Sequence, residues 1–199
     1  MSRHPRSWSA SGFYHVVARG NNRNPIFRHD TDRSRYLQFL AMALASHRVQ
    51  LFHYCLMSNH VHLLFQTPTP TALSQTMHEL QRRYWFHVRR EYKISGHLWQ
   101  GRYHSFPIEE DSYLLECGRY IERNPLPAQM VTELALYPWS SYLYYAYGKE
   151  REVDLSISPG YLAMGTTPSV RQEAYRTYVT TTRPYDIAMT KQLTEAIGV

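Results

Sequence analysis

Two apolar runs, Val49 to Met57 and His60 to Gln66, are separated by nothing but Ser58-Asn59. Extended segments joined through so short a break form a hairpin, which makes them neighbouring antiparallel strands. The rest of the first half of the chain has to be arranged around that pair. Ahead of it, Phe13 to Ala18 reads as a strand, and Arg19-Gly20-Asn21-Asn22-Arg23-Asn24-Pro25 is a loop composition. Asp30, Thr31 and Asp32 offer N-caps to a helix over 32–47, in which Tyr36, Leu37, Leu40, Ala43 and Leu44 recur at helical spacing. After the hairpin, Thr67-Pro68-Thr69-Pro70-Thr71 stops the strand and caps a second helix, 72–92, with Leu73, Met77, Leu80, Tyr84 and Val88 on one stripe. Leu98 to Ile108 predicts a fourth strand ending near Pro107. Asp111 caps a third helix, 112–123, which Pro125 and Pro127 terminate. The order β-α-β-β-α-β-α predicts an α+β protein. Its first six elements form a ferredoxin-like antiparallel sheet with helices packed on one face. Past Tyr137 the sequence turns aromatic (PWSSYLYYAYG), crosses a charged stretch at 149–154 and offers one helix near 169–180. The expected division is a domain over 1–148 and a C-terminal extension, an accessory tail, over 149–199.

Charge narrows the partner. The formal net charge is +6, and residues 149–199 hold six Lys/Arg against six Asp/Glu, so the excess lies ahead of Lys149. Lys occurs only at 93, 149 and 191; every other cation is Arg, whose planar fork grips phosphate bidentately and stacks on bases. Nucleic acid is the expected partner, set against a basic surface that binds nothing. A hydrophobic content of 43% with 14% aromatic residues excludes a disordered chain. No apolar run approaches the roughly 18 residues of a membrane span, and MSRHPRSWSASG has no apolar signal core, so no membrane association is expected. Cys55 and Cys117 lie alone, which frames neither a disulfide scaffold nor a zinc knuckle and predicts a reducing, cytoplasmic setting.

The central chemical feature is His60-Val61-His62. On a strand, residues two apart face the same side, so both imidazoles project together and supply two legs of a divalent-metal site. Among 11 histidines such a pair also arises by accident or on a surface. On the third helix, Tyr120 and Asn124 are four apart and lie one above the other. Leu114, Leu115, Gly118 and Ile121 are left to face the sheet. A phenol and an amide carbonyl are then offered to one point, the carbonyl completing a metal site and the phenol standing beside it. In a chain with 17 tyrosines the alternative for Tyr120 is an amphipathic interface residue. Tyr113, one heptad earlier, competes as a nucleophile but lacks the amide partner.

Five stretches carry a family resemblance: Arg19-Gly20-Asn21-Asn22-Arg23, Met57-Ser58-Asn59-His60-Val61-His62-Leu63-Leu64, Trp99-Gln100-Gly101-Arg102-Tyr103, Arg119-Tyr120-Ile121-Glu122-Arg123-Asn124-Pro125 and Pro138-Trp139-Ser140-Ser141-Tyr142. In this order, over about residues 11–147, the chain resembles the REP-associated tyrosine transposases, a branch of the single-tyrosine HUH transposases. The resemblance implies a nuclease of ferredoxin-like fold, metal ligands at His60 and His62, a nucleophilic Tyr120 and a third metal contact at Asn124. It further implies Mg²⁺ or Mn²⁺ as cofactor and a single-stranded or hairpin DNA substrate. The reaction implied is cleavage and rejoining through a covalent 5′-phosphotyrosine. A lone nucleophile makes cleavage a single-strand event, so two cleavages need two turnovers or two subunits, and a monomer or homodimer is expected. The DNA surface is expected from Arg19 and Arg23 in the first loop, Arg82, Arg83, Arg89, Arg90 and Lys93 on the second helix, and Arg102 on the fourth strand, with the protein nucleoid-associated when bound. The rival readings are a catalytically idle DNA- or RNA-binding module on the same fold, and a zinc hydrolase, which lacks a recognisable third ligand.

Overall fold

The computed structural model describes residues 9–109, 111–181 and 184–197. Four strands, β1 (Phe13–Arg19), β2 (Gln50–Leu56), β3 (His60–Gln66) and β4 (His104–Ile108), form one sheet in the order β2-β3-β1-β4. Every neighbouring pair is antiparallel. Met57-Ser58-Asn59 joins β2 to β3 in the expected hairpin, one residue longer than the break the sequence shows, while α1 (Asp30–His47) and α2 (Pro70–Tyr92) are the two crossovers. The ferredoxin-like expectation holds.

Alternation along the strands assigns the two faces. Val61, Leu63 and Phe65 of β3, with Tyr14, Val16 and Ala18 of β1, are buried in one core with α1 and α2. The two helices of the ferredoxin-like unit therefore share one face, as expected. The opposite face carries Phe13, Val17 and Leu64, covered by α3 (Asp111–Arg123) through Leu114, Cys117 and Ile121. The side chain of Asp111, the expected cap of that helix, lies outside the described residues.

Local chemistry explains most element ends. Thr69 Oγ1 accepts from the Ala72 N–H at 3.0 Å and starts α2 one residue later, on Pro70. At α1 the acidic cluster acts differently from a simple N-cap: His29 precedes the helix, and Asp32 reaches back to accept from the His29 N–H at 3.0 Å. The fourth strand is shorter than predicted, starting at His104 and not Leu98. Trp99 makes an isolated bridge to Gly20 and donates its indole N–H to Gln81 of α2, drawing the chain onto that helix before the sheet resumes. Arg102 thus precedes β4 instead of lying on it.

The C-terminal segment is wrapped around α3. Short helices α4 (Tyr142–Tyr147) and α5 (Pro159–Leu162) and the longer α6 (Pro168–Thr180) bury Tyr145, Tyr161, Tyr175 and Val179 together. The α6 helix matches the one expected near 169–180. A further helix, α7 (Pro184–Ile197), has no counterpart in the sequence expectation; its Met189 and Leu193 enter the core between α3 and the sheet. A tertiary tie holds it, since Arg119 of α3 grips both carboxylate oxygens of Asp186 at 2.8 and 3.0 Å.

Candidate active site

His60 and His62 project from β3 toward α3, with ring centroids 4.8 Å apart, while Val61 points into the other core. His60 Nδ1–H donates to Asn59 Oδ1 at 2.7 Å; an amide oxygen only accepts, so the Nε2 of His60 is left as a bare lone pair. The Nε2 atoms of both His60 and His62 are buried and have no hydrogen-bond partner. Burial, helped by the charge of Arg19, lowers the pKa of His60 to about 4. Burial beside two other imidazoles holds His62 well below its usual range. Both rings are neutral at pH 7, the state a metal ligand requires.

Tyr120 reaches these rings because α3 lies unusually close to the sheet. A Cβ at Gly118 would stand 2.5 Å from the His53 ring of β2, so only glycine permits that approach. The Tyr120 ring sits edge-on to His62 with centroids 6.1 Å apart, and the residue is 8% exposed. Burial pushes its pKa up to about 12, against a hydrogen bond from the Thr190 side chain of α7 that lowers it. Asn124 spends its amide N–H groups on the carbonyls of Tyr120 (2.8 Å) and Ile121 (3.2 Å), which leaves its oxygen as the end available to a ligand. His60, Tyr120 and Asn124 all line one cavity of about 760 Å³, bounded on the far side by Asp186, Thr190 and Lys191 of α7. Tyr113, the competing nucleophile, is 47% exposed, two turns away and outside that lining.

Among the described residues no three His, Cys, Asp or Glu side chains form a group that could hold a metal ion. The donors are therefore two imidazoles and one neutral amide. They fit a divalent cation: two buried Nε2 atoms lack hydrogen-bond partners, and a neutral donor set would leave the full charge of the ion for a phosphate.

Apart from Arg102, exposed ahead of β4, the expected DNA residues divide into two groups. Arg19 pairs in register with His60 and donates to Gln100 at 3.0 Å, at the edge of the site, with Arg23 exposed in the loop beyond. Arg82, Arg83, Arg89, Arg90 and Lys93 instead line a groove of about 880 Å³ between α1 and α2, joined by Arg35, Phe39 and the half-exposed Phe86. That groove is on the opposite side of the sheet from Tyr120. The structure thus unites His60, His62, Tyr120 and Asn124 but does not bring the α2 arginines to them. Sequence reasoning missed Arg123, Thr190 and Lys191, which line the cavity, and His15, whose Nε2 lies 2.9 Å from His62 Nδ1. Only His15 left a signal, a polar residue alternating with Phe13 and Val17 on an otherwise apolar strand face.

The assembly is an α+β ferredoxin-like sheet with a buried His-Val-His pair facing a tyrosine on a covering helix. The family Transposase IS200 like matches residues 9–124, from just before β1 through Asn124, and the chain belongs to that family. A structure of a REP-associated tyrosine transposase bound to a REP hairpin shares the fold, with a TM-score of 0.61 at 16% identity over 79% of this chain and 97% of that one. A crystal structure described as a transposase from Deinococcus radiodurans aligns at 20% identity over 61% of this chain and 97% of that one, with a TM-score of 0.40. A comparison with curated protein sequences returns no match. Among the described residues no helix is long and apolar enough to cross a membrane.

Proposed function

We propose that the protein is a metal-dependent endonuclease and strand transferase that acts on single-stranded DNA beside a hairpin. The observation that carries this reading is the meeting of two buried imidazoles with unpartnered Nε2 atoms, His60 in the cavity wall and His62 packed behind it, with one tyrosine, Tyr120, whose ring contacts His62 and lines the same cavity. A module that only binds DNA needs none of the three, and leaving buried polar atoms unpaired costs about 1–3 kcal/mol each. In this reading His60, His62 and Asn124 hold Mg²⁺ or Mn²⁺. A bound divalent ion supplies Lewis acidity to a non-bridging oxygen of the scissile phosphate.

Tyr120 Oη attacks phosphorus in line. The new bond is Oη–P, the bond that breaks is P–O3′, and the phenolic proton passes through solvent to the departing 3′ oxygen. The products are a 5′-phosphotyrosine and a free 3′-OH, and the reverse attack by another 3′-OH rejoins strands without an external energy source. With its pKa pushed up to about 12, Tyr120 is protonated at neutral pH, and a divalent cation held beside it would favour the phenolate. Arg19, Arg123 and Lys191 border the cavity or its edge and neutralise the phosphates that flank the reacting one. The nucleophile and the metal-binding residues belong to residues 1–148, and the segment from 149 closes over the site and tunes which hairpin is accepted. A hairpin is proposed as the substrate because the similar REP-associated protein was solved bound to one.

Incubating the protein with a labelled hairpin oligonucleotide and Mg²⁺ or Mn²⁺ tests the reading. A DNA–protein adduct that survives denaturing electrophoresis and disappears in EDTA is expected. Tight hairpin binding with no adduct under any divalent ion would replace this reading with the idle binding module.

A further inference from the structure

We propose that His15 is a positioning residue for the metal site, holding the His62 ring in the tautomer and orientation that present a bare Nε2 to a divalent cation. The inference rests on the metal reading above and adds to it a residue outside the His-Val-His motif. In the β1–β3 register His15 lies opposite Leu64 and Val17 opposite His62, so His15 and His62 are diagonal neighbours on the α3 face. Their rings stack 26° from parallel with centroids 5.2 Å apart, both fully buried, and His15 Nε2 meets His62 Nδ1 at 2.9 Å.

One proton occupies that contact. If His62 Nδ1 donates, His15 Nε2 is the acceptor, His15 carries its own proton on Nδ1, and His62 Nε2 is a lone pair able to ligate. If His15 donates, the His62 proton moves to Nε2 and the ring cannot bind a cation. The two ligand histidines are therefore held differently. Asn59 Oδ1 is an obligate acceptor and leaves His60 Nε2 permanently bare. His62 has a partner that can serve in either sense, and His15 Nδ1, buried without a partner, accommodates either state. Packing alone does not call for an imidazole here, since Phe13, Val17 and Phe106 around it are apolar. Partners that orient a ligating histidine contribute about 10–100-fold to metal affinity.

The test is a Mn²⁺ titration followed by EPR on the unmodified protein, H15F, H15Q and H62A, with thermal melting of each. H62A should bind far more weakly than the unmodified protein; equal binding by those two, or none by either, would overturn the metal reading itself and this inference with it. With that control in place, H15F should lose about 10–100-fold in affinity. H15Q, whose Oε1 is an acceptor of similar reach, should recover most of it. Folded H15F that binds Mn²⁺ as tightly as the unmodified protein, or H15Q as weak as H15F, overturns the role of His15. Should H15F not fold, ring ¹⁵N shifts of the unmodified protein decide: Mg²⁺-loaded protein should show His62 protonated at Nδ1, and protonation at Nε2 overturns the proposal.

Discussion

Toward α1 and α2, β1 and β3 present Tyr14, Val16, Ala18, Val61, Leu63 and Phe65; toward α3 the same strands present Phe13, His15, Val17, His60, His62 and Leu64. Both sets are buried. The first is a core of hydrocarbon and rings, where interchangeable apolar residues suffice. The second continues its polarity into the covering helix. Arg119 is fully buried and ion-paired to Glu116 and Asp186, and the buried Glu122 accepts from His53 at 2.9 Å, from Ser141 and from Tyr175 at 2.7 Å. Burying a polar group is unfavourable unless it is paired, so a face built this way depends on its polar groups finding one another. The pairs around Glu122 and Arg119 satisfy one another and lock α3 in place. Among the ring nitrogens that stay unpaired on this face are Nδ1 of His15 and Nε2 of His53, His60 and His62, and the His15 and His62 rings both stand edge-on to the tyrosine.

The largest expected effect falls on the polar face. Tyr120→Phe keeps the ring and removes one oxygen, so the covalent adduct should vanish while hairpin affinity stays within about threefold, a change under 1 kcal/mol. Tyr113→Phe should form adduct at nearly the original rate. The reverse pattern in a denaturing gel would move the nucleophile to the exposed position.

A matched pair of substitutions on neighbouring residues of β3 separates the faces directly. Leu63→Ala, in the hydrocarbon core, should destabilise the fold by about 2–5 kcal/mol in urea while leaving metal-dependent cleavage of the folded fraction intact. His62→Ala should do the opposite, removing most cleavage with a much smaller change in midpoint. Equal stability losses would dissolve the contrast between the faces.

Changing Arg82, Arg83, Arg89 and Arg90 together to Ala tests whether the α1–α2 groove grips DNA from the far side of the sheet. The salt dependence of binding should flatten by a log–log slope of about 0.7 for each single-strand phosphate that is no longer neutralised, with the adduct rate at saturating DNA unchanged. A slope that stays the same would confine the DNA surface to the α3 side. The smallest effect is expected from Thr190→Val. Its hydrogen bond lowers the Tyr120 pKa, so losing it should move the alkaline rise of adduct formation to higher pH in a rate profile.

Much of the site is legible in the sequence because its logic is local. Two histidines two apart on a strand must share a face, and a tyrosine and an asparagine four apart on a helix must stand one above the other. The hairpin and the alternation of elements likewise lead to the sheet. The groove arginines form a recognisable helical stripe, but a stripe does not say which side of the sheet its helix covers. Trp99 and Arg102 read as strand residues because LWQGRYHSFPI has strand composition; the pull of the Trp99 ring toward α2 comes from residues far away in the sequence.

The sequence by itself determined the periodicities: which segments extend, which coil, where they stop, and which side chains within one segment point together. These follow from backbone geometry and short-range capping, which act over a few residues. Tertiary structure alone decided that α3 takes the face left open by α1 and α2, that His15 meets His62 across the β1–β3 register, and that α7 returns to cap Tyr120 through Thr190 and Asp186. Each of those is a contact between segments distant in the chain. Their register depends on the whole set of buried side chains packing at once, and no single segment carries that information.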